Sequence, residues 1–179
     1  MKNKSFNSIL LRGTIACLTF VVSPIIFAVT DATSADISLQ FTEVIDVANV
    51  GNVQIQDPGT GTNATAIEDF CVAGTGFSTF EISFESDDGN NDTVFELTDG
   101  TNNVDYAVGF DNSTGGAFTN VTEGTPIIGQ TLNDIAADCT SVADNARFQI
   151  TILNADWENA TILSGSNYTD VLTITVTSL

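Results

Sequence analysis

Apolar and polar residues alternate along several stretches of this chain, and no other feature of the sequence limits its fold so strongly. The apolar members of the clearest stripes are Phe80, Ile82 and Phe84, then Val104, Tyr106, Val108 and Phe110, then Phe148, Ile150 and Ile152, and last Leu172, Ile174 and Val176. A period of two places one face of a β-strand on a core and the other in water. Turn-forming segments such as residues 57–61 and 112–116 separate the stripes. Only residues 131–137 suggest a helical turn. The sequence therefore predicts an all-β fold, an antiparallel sandwich in one domain over residues 42–179.

The first 28 residues have the pattern of a cleavable export signal. Lys2, Lys4 and Arg12 form a basic start, and residues 13–27 are mostly apolar. A small residue, Ala28, predicts cleavage after that position, and cleavage after Ala35 is the second choice. A membrane anchor is the alternative interpretation, but the stretch is short, contains a proline, and no other segment reaches about 18 apolar residues. We therefore expect export, with no membrane insertion after cleavage.

The charge of the chain excludes several classes of function. It has 23 acidic residues against 4 basic ones and no histidine, giving a formal charge of −19. Three of the basic residues lie in the leader, so the exported chain keeps only Arg147 and is more negative still. Such a surface repels phosphate backbones, which argues against nucleic-acid binding. Without histidine, and without lysine beyond the leader, the usual acid–base and Schiff-base groups are missing. A pair of carboxylates would suffice for glycoside hydrolysis, but among so many acids such a pair has no specificity. We expect no catalysis and no cofactor.

Two cysteines remain after the leader, Cys71 and Cys139. An even pair in an exported protein predicts a disulfide, which over this sequence separation contributes roughly 3–5 kcal/mol to stability. A metal or redox site is the alternative, but no CxxC spacing and no histidine support it.

Two further features have both a binding and a structural interpretation. Asp87, Asp88 and Asp92 lie in an Asp/Asn/Gly segment that either chelates calcium or forms a polar hairpin turn. Trp157, the only tryptophan, is either a platform for a sugar ring or a core or rim residue of the sandwich.

An ordered set of short motifs resembles the pilin-type subunits of bacterial chaperone–usher systems, especially the archaic group and its relatives similar to spore coat protein U. The set begins with Phe70-Cys71-Val72 and continues through Phe80-Glu81-Ile82, Phe95-Glu96-Leu97 and Tyr106-Ala107-Val108-Gly109-Phe110. Cys139, Phe148-Gln149-Ile150 and the closing segment from Tyr168-Thr169-Asp170 to Val176 complete it. The closing glycine departs from the pattern, since Gly165 lies one residue early with Ser166 inserted.

This resemblance implies an immunoglobulin-like sandwich that lacks one strand and exposes a hydrophobic groove. In such systems a periplasmic chaperone fills the groove first, and the N-terminal extension of the next subunit replaces it at an outer-membrane usher. The implied function is a structural subunit of an adhesive pilus or fimbria, active in cell adhesion and biofilms. Its partners would be other copies of the chain or related pilins, and it would pass through the periplasm to a fibre on the bacterial surface.

Two segments would form the contact between subunits. Residues 29–41 are the candidate donor strand, because Ile37, Leu39 and Phe41 share one face. The alternative is that residues 37–47 are simply the first core strand, since a strand pattern does not say which sheet it joins. At the other terminus, Tyr168, Leu172, Ile174 and Val176 belong to the predicted last strand, at the edge of the groove. A secreted or fibre-tip module that binds carbohydrate or calcium remains the alternative function.

Overall fold

The computed structural model describes residues 34–40, 42–87, 93–159 and 167–179. The chain divides into two units, Met1–Ser38 and Leu39–Leu179. In the first unit the described residues form neither helix nor strand, and Ile37 is 95% exposed. No helix in the described part of the chain is long and apolar enough to cross a membrane.

The regular secondary structure described in the second unit is almost entirely β-strand. Its elements, within the described residues, are β1 (Val44–Ala48), β2 (Ala64–Thr75), β3 (Thr79–Ser86), β4 (Phe95–Thr98), β5 (Asn103–Asp111), β6 (Thr119–Asn120), β7 (Ile127–Thr131), β8 (Asp134–Ile135), β9 (Ala146–Ile152), the short helix α1 (Asn154–Trp157) and β10 (Leu172–Ser178). The predicted all-β fold is confirmed.

The strands form two sheets. The larger has the order β1-β2-β9-β5-β4, with β6 beside β5 and β8 beside β2, and the smaller has the order β10-β3-β7. Every pairing is antiparallel except that of β2 with β8, which is parallel and joins only two residues of each strand. The predicted antiparallel architecture therefore holds with one short exception.

A phenylalanine-rich core joins the two sheets. Phe84 of the smaller sheet lies 5.7 Å from Phe110 and 6.1 Å from Phe148 of the larger sheet, measured between ring centroids. These separations are typical of tilted aromatic pairs, which add to the area that the rings bury. The alternating residues predicted to face the core on β3, β5 and β9 are all buried. The period-two pattern thus identified the inward faces of these three strands correctly.

The two cysteines form a disulfide that pins a loop to the outside of the larger sheet. Cys71 and Cys139 have an S–S distance of 2.11 Å and a sequence separation of 68. Together with Ala73 they form a second, small buried cluster on the outer face of β2. Closing a loop of this length stabilises the fold by about 4 kcal/mol, chiefly by restricting the unfolded chain.

Arg147 on β9 fastens the connection between β5 and β6. Its Nε donates to Asp111 Oδ2 at 3.0 Å, and its Nη2 donates to the carbonyl of Gly116 at 2.6 Å. The guanidinium also lies 4.6 Å from the centre of the Phe118 ring. An arginine that is packed on a ring and bonded on its planar edge holds its neighbours firmly. The one basic residue beyond residue 12 is therefore held within the fold.

The prediction of a helical turn over residues 131–137 is wrong. Thr131 ends β7, and Asp134 and Ile135 form β8, which pairs with Ala73 and Gly74 of β2. Tertiary pairing overrode the weak local pattern, as is common for short segments. The helix that does form, α1, lies after β9, where the sequence pattern gave no signal.

Candidate functional site: a cleft beside an open sheet edge

A cleft of about 890 Å³ lies between two stretches of extended chain. Residues 50–58 form one wall, and residues 167–172 form the other. The side chains between them come from the larger sheet and α1: Ala64, Leu97, Val104, Tyr106, Phe148, Ile150, Ile152 and Trp157. The floor is therefore largely apolar, and we refer to the whole as the cleft.

The C-terminal wall continues into β10, which is an edge strand. β10 pairs with β3 through seven consecutive residue pairs, from Leu172 opposite Ser86 to Ser178 opposite Phe80. No described strand pairs with its other side. Leu172, Ile174 and Val176 are partly buried and pack against the core, while the threonines between them are exposed. β10 thus offers a regular backbone edge, unpaired by any described strand, above apolar side chains.

The opposite wall is extended but belongs to neither sheet. Within residues 50–57, Val53 and Ile55 are partly buried against the core, and the residues on either side of each are exposed. Near its start, the N–H of Gly51 donates to Glu68 Oε1 at 2.8 Å. The side chains of this wall alternate between buried and exposed, as they do in a strand. Its backbone, however, pairs with no described strand.

Trp157 closes part of the cleft from α1. Its side chain is partly buried against the core, and its indole N–H donates to the carbonyl of Thr62 at 3.1 Å. The indole is therefore engaged by the protein on its polar side and packed on its apolar side. This position agrees with the rim interpretation of Trp157. Because the side chain lines the cleft, it would contact an occupant of the cleft.

A polar pair connects the floor of the cleft to its C-terminal wall. The hydroxyl of Tyr106 on β5 donates to Asp170 Oδ2, and the other carboxylate oxygen of Asp170 accepts from the N–H of Val171 at 2.7 Å. Tyr106 is buried, with 6% of its surface exposed. Burial, followed by the Asp170 carboxylate, raises the pKa of the Tyr106 phenol. This shift favours the protonated phenol, which is the form that can donate the hydrogen bond to Asp170.

The structure brings some of the predicted site residues together. Tyr168 and Leu172 both line the cleft, and Leu172, Ile174 and Val176 share the inward face of β10. The predicted last strand was placed four residues too early, because the ladder begins at Leu172 and Tyr168 lies before it. Before the ladder begins, a bridge pairs Thr169 with Thr98 of β4, and the carbonyl of Val171 accepts from the N–H of Asp87, just after β3.

The N-terminal candidates lie partly outside the described residues. Ile37 is 95% exposed and Leu39 is 78% exposed, and neither belongs to a strand. Phe41 is not among the described residues. Val44–Ala48 forms β1 in the larger sheet. Of the described positions among residues 37–47, only residues 44–47 therefore belong to a core strand. The role of the earlier residues as a donor strand stays a prediction.

Two of the three residues proposed to bind calcium, Asp88 and Asp92, lie outside the described residues. Asp87 is described, and its N–H donates to the carbonyl of Val171 at 3.1 Å. Among the described residues no group of three or more acidic, histidine or cysteine side chains is arranged to hold a metal ion.

Sequence reasoning missed the N-terminal wall and the role of Asp170. The alternation of Val53 and Ile55 with Gln54 and Gln56 was a readable signal for an extended wall. Asp170 belongs to the closing motif Tyr168-Thr169-Asp170, but only the structure shows that it contacts Tyr106, 64 residues away in sequence.

Comparisons with known proteins find likeness at the level of structure alone. Neither a protein-family model nor a curated protein matches the sequence. One similar structure is from a study of a chaperone–tip adhesin complex in CFA/I fimbriae biogenesis, at 18% identity and a TM-score of 0.49, covering 76% of this chain and 43% of that one. Another is CfaE, the adhesive subunit of CFA/I fimbria of enterotoxigenic Escherichia coli, at 16% identity and a TM-score of 0.46, covering 69% of this chain and 38% of that one. The chain spans less than half the length of either structure. At this level the likeness does not by itself assign a function.

Proposed function

We propose that this chain is a structural subunit of an extracellular adhesive fibre of the pilus type, which polymerises by donor-strand exchange and has no catalytic role. The observation that carries the proposal is the regular edge of β10, with which no described strand pairs, beside a cleft with an apolar floor. A sheet edge of this kind presents a row of free N–H and C=O groups, which an added strand satisfies. The order of motifs that resembles chaperone–usher pilins supports the same function.

The proposed occupant of the cleft is the segment 29–41 of a second copy. Its apolar residues Ile37 and Leu39 are 95% and 78% exposed, and Phe41 continues the same face in the sequence. Burying three such side chains contributes about 5–9 kcal/mol before the cost of association is subtracted. An exposed apolar stripe and an open cleft with an apolar floor are complementary surfaces.

The positions of these features favour a chain of copies rather than a closed pair. The hydroxyl of Ser178, at the end of β10, donates to Glu43 Oε2 at 3.0 Å. The residues that lead into β1 therefore lie at the C-terminal end of β10, whereas the cleft lies around its beginning at Leu172. Association through two different surfaces at opposite ends of a strand is head-to-tail, and such contacts give open filaments when the rotation does not close.

The proposed partners follow from the same need to cover the cleft. Before assembly a periplasmic chaperone would supply the missing strand, and an outer-membrane usher would carry out the exchange for the next copy. The disulfide between Cys71 and Cys139 fits an oxidising compartment such as the periplasm.

The test removes the donor and leaves the acceptor intact. A chain beginning at residue 40 should remain monomeric and still bind a synthetic peptide of residues 29–41, while the chain from residue 29 should form fibres visible by electron microscopy. In the full-length background, Ile37→Ser with Leu39→Ser should also abolish fibres. Ser38→Ala with Gln40→Ala changes the opposite face of the segment and should leave them intact. Normal polymerisation of the shortened chain would show that this segment is not the donor.

A further inference from the structure

Asp170 occupies an apolar position in the C-terminal wall of the cleft. From residue 168 to 176 the even-numbered residues are partly buried and the odd-numbered ones are exposed. The inward series is therefore Tyr168, Asp170, Leu172, Ile174 and Val176. A carboxylate on the inward face of a strand costs stability unless a donor meets it there.

Tyr106 is that donor, and it lies on the opposite sheet. It projects from β5 of the larger sheet, while Asp170 lies just before β10 of the smaller sheet. The ring of Tyr106 is held by Phe95, with 5.4 Å between their centroids. A fixed phenol that donates to a carboxylate makes a charge-assisted hydrogen bond, which is stronger than one between neutral groups.

The backbone around Asp170 is tied to both sheets as well. Thr98 of β4 and Thr169 exchange two N–H···O bonds of 2.9 and 3.0 Å, which attach the wall to the larger sheet. One residue after Asp170, the carbonyl of Val171 accepts from the N–H of Asp87, which directly follows β3 of the smaller sheet. Residues 169–171 therefore cross from one sheet to the other at this end of the cleft.

We propose that the hydrogen bond from Tyr106 to Asp170 is a strut that fixes the spacing of the two sheets at the cleft and keeps its C-terminal wall in the geometry that accepts a strand. Tyr106 and Asp170 are positioning residues in this account, which rests on the proposed function. A cleft with an apolar floor gains free energy when its walls close over that floor, because closure removes apolar surface from water. A polar strut across the cleft opposes that closure. A site held in its bound geometry also binds more tightly, since less order has to be created on association.

The first measurement tests the strut without any ligand. Hydrogen exchange is followed in the oxidised chain from residue 29, with Ile37→Ser and Leu39→Ser present to prevent assembly. Tyr106→Phe should accelerate exchange of the Thr169 amide at least tenfold and leave the amides between β2 and β9 unchanged. Tyr168→Phe removes the other tyrosine hydroxyl of the cleft and should leave Thr169 protected. Unchanged protection of Thr169 in Tyr106→Phe overturns the proposal, whether or not any strand binds.

The second measurement connects the strut to strand binding. The same proteins are titrated with the peptide of residues 29–41, and the fluorescence of Trp157, which lines the cleft, reports binding. We expect Tyr106→Phe to weaken the peptide about tenfold. Val108→Ala creates a core cavity at a buried residue that does not itself line the cleft, and it should lower thermal stability without changing peptide affinity. Asp170→Leu removes the acceptor of the phenol and should also weaken peptide binding. Asp170→Asn keeps an acceptor and should retain most of the affinity.

The outcomes separate the two proposals. If the unaltered cleft binds no peptide, the donor-strand function fails and the strut's role in it fails too. If that cleft binds the peptide and Tyr106→Phe binds it equally well, only the strut is overturned. If Val108→Ala weakens the peptide as much as Tyr106→Phe does, the effect comes from general stability and the strut is again overturned.

Discussion

The smaller sheet has two edges, and they differ in almost every respect that matters for adding a strand. β10 keeps a continuous register with β3 over seven residues and alternates apolar and polar side chains. β7, at the other edge, loses register between Phe80 and Ile82, where two residue steps on β3 face three on β7. Gly129 in β7 has a φ of 77°, and Ile128 beside it is 69% exposed.

This difference separates an edge that can be extended from one that is blocked. A bulge bends the strand and leaves its free N–H and C=O groups out of line, so that a further strand cannot pair along it. A regular edge has no such protection and is normally covered in a folded protein. The regularity of β10, next to an apolar cleft, is therefore the unusual feature, and the bulge of β7 is ordinary protection of an edge.

The largest expected effect comes from placing a charge at each edge in turn. Leu172→Lys puts an ammonium group into the cleft wall and should reduce fibre formation at least a hundredfold, because an unpaired charge would have to be buried with the donor. Ile128→Lys, a matched change on the exposed side chain of β7, should leave fibre formation unchanged. Sedimentation and electron microscopy of the chain from residue 29 measure both. Loss of fibres in Ile128→Lys would mean that β7 also takes part in assembly.

A smaller effect is expected from adding a side chain at Gly129, where the backbone of β7 has a positive φ. A Cβ at Gly129 would meet no atom within 4 Å, so Gly129→Ala isolates the cost of the positive φ. We expect a loss of about 1–2 kcal/mol in unfolding free energy, measured by denaturant titration, with peptide binding at the cleft unaffected. Gly115→Ala is the control, because that glycine has equal space and no positive φ. Equal stability of the two variants would show that β7 can change its path without cost.

The smallest effect concerns β4, the edge of the larger sheet, where two acids face each other. Glu96 pairs with Asp105 across β4 and β5. Burial, followed by the charges of Glu96 and Asp156, raises the pKa of Asp105. The folded state therefore disfavours the ionised form of Asp105, which lowers the free energy of unfolding. This loss of stability is absent below the ordinary pKa of 3.8, grows as the pH rises above it, and is complete above the higher pKa of the folded state.

Asp105→Asn should therefore stabilise the fold at pH 7 and make no difference at pH 3. Asp105 is only slightly desolvated and its side chain remains exposed, so solvent screening limits the gain to below about 0.5 kcal/mol. Asp138→Asn should change stability in the opposite direction, since hydrogen bonds from Thr140 lower the pKa of Asp138 and favour its ionised form. Thermal denaturation at both pH values measures the two variants. A gain for Asp105→Asn that persists at pH 3 would contradict the charge explanation.

The sequence predicted the strands whose inward faces are apolar along their whole length. Phe80, Ile82 and Phe84 of β3 are fully buried, as the alternation of residues 79–85 required. The turn over residues 57–61 also follows its composition, with Gly59 and Gly61 at positive φ. Local chemistry decides these features, so one sequence is enough to find them.

The features that the sequence did not predict depend on contacts between distant residues. β8 exists because Asp134 and Ile135 meet β2, and nothing within residues 131–137 signals a strand. The bulge of β7 depends on its register against β3. The cleft needs residues 50–58 and 167–172 to face each other across the sandwich. Alternation gives the face of a strand, but not its neighbour or its register.

Arg147 bears on how well the folded protein resists proteolysis. Beyond residue 12 it is the only basic residue, and so the only point at which a protease of trypsin specificity can cut. It lies in β9, which is hydrogen-bonded to β2 on one side and β5 on the other, and its side chain is held by Asp111 and Gly116. Proteolytic nicking prefers exposed, mobile loops, and a central strand becomes accessible only when the sheet opens. Once folded, the domain offers such proteases no accessible cleavage site.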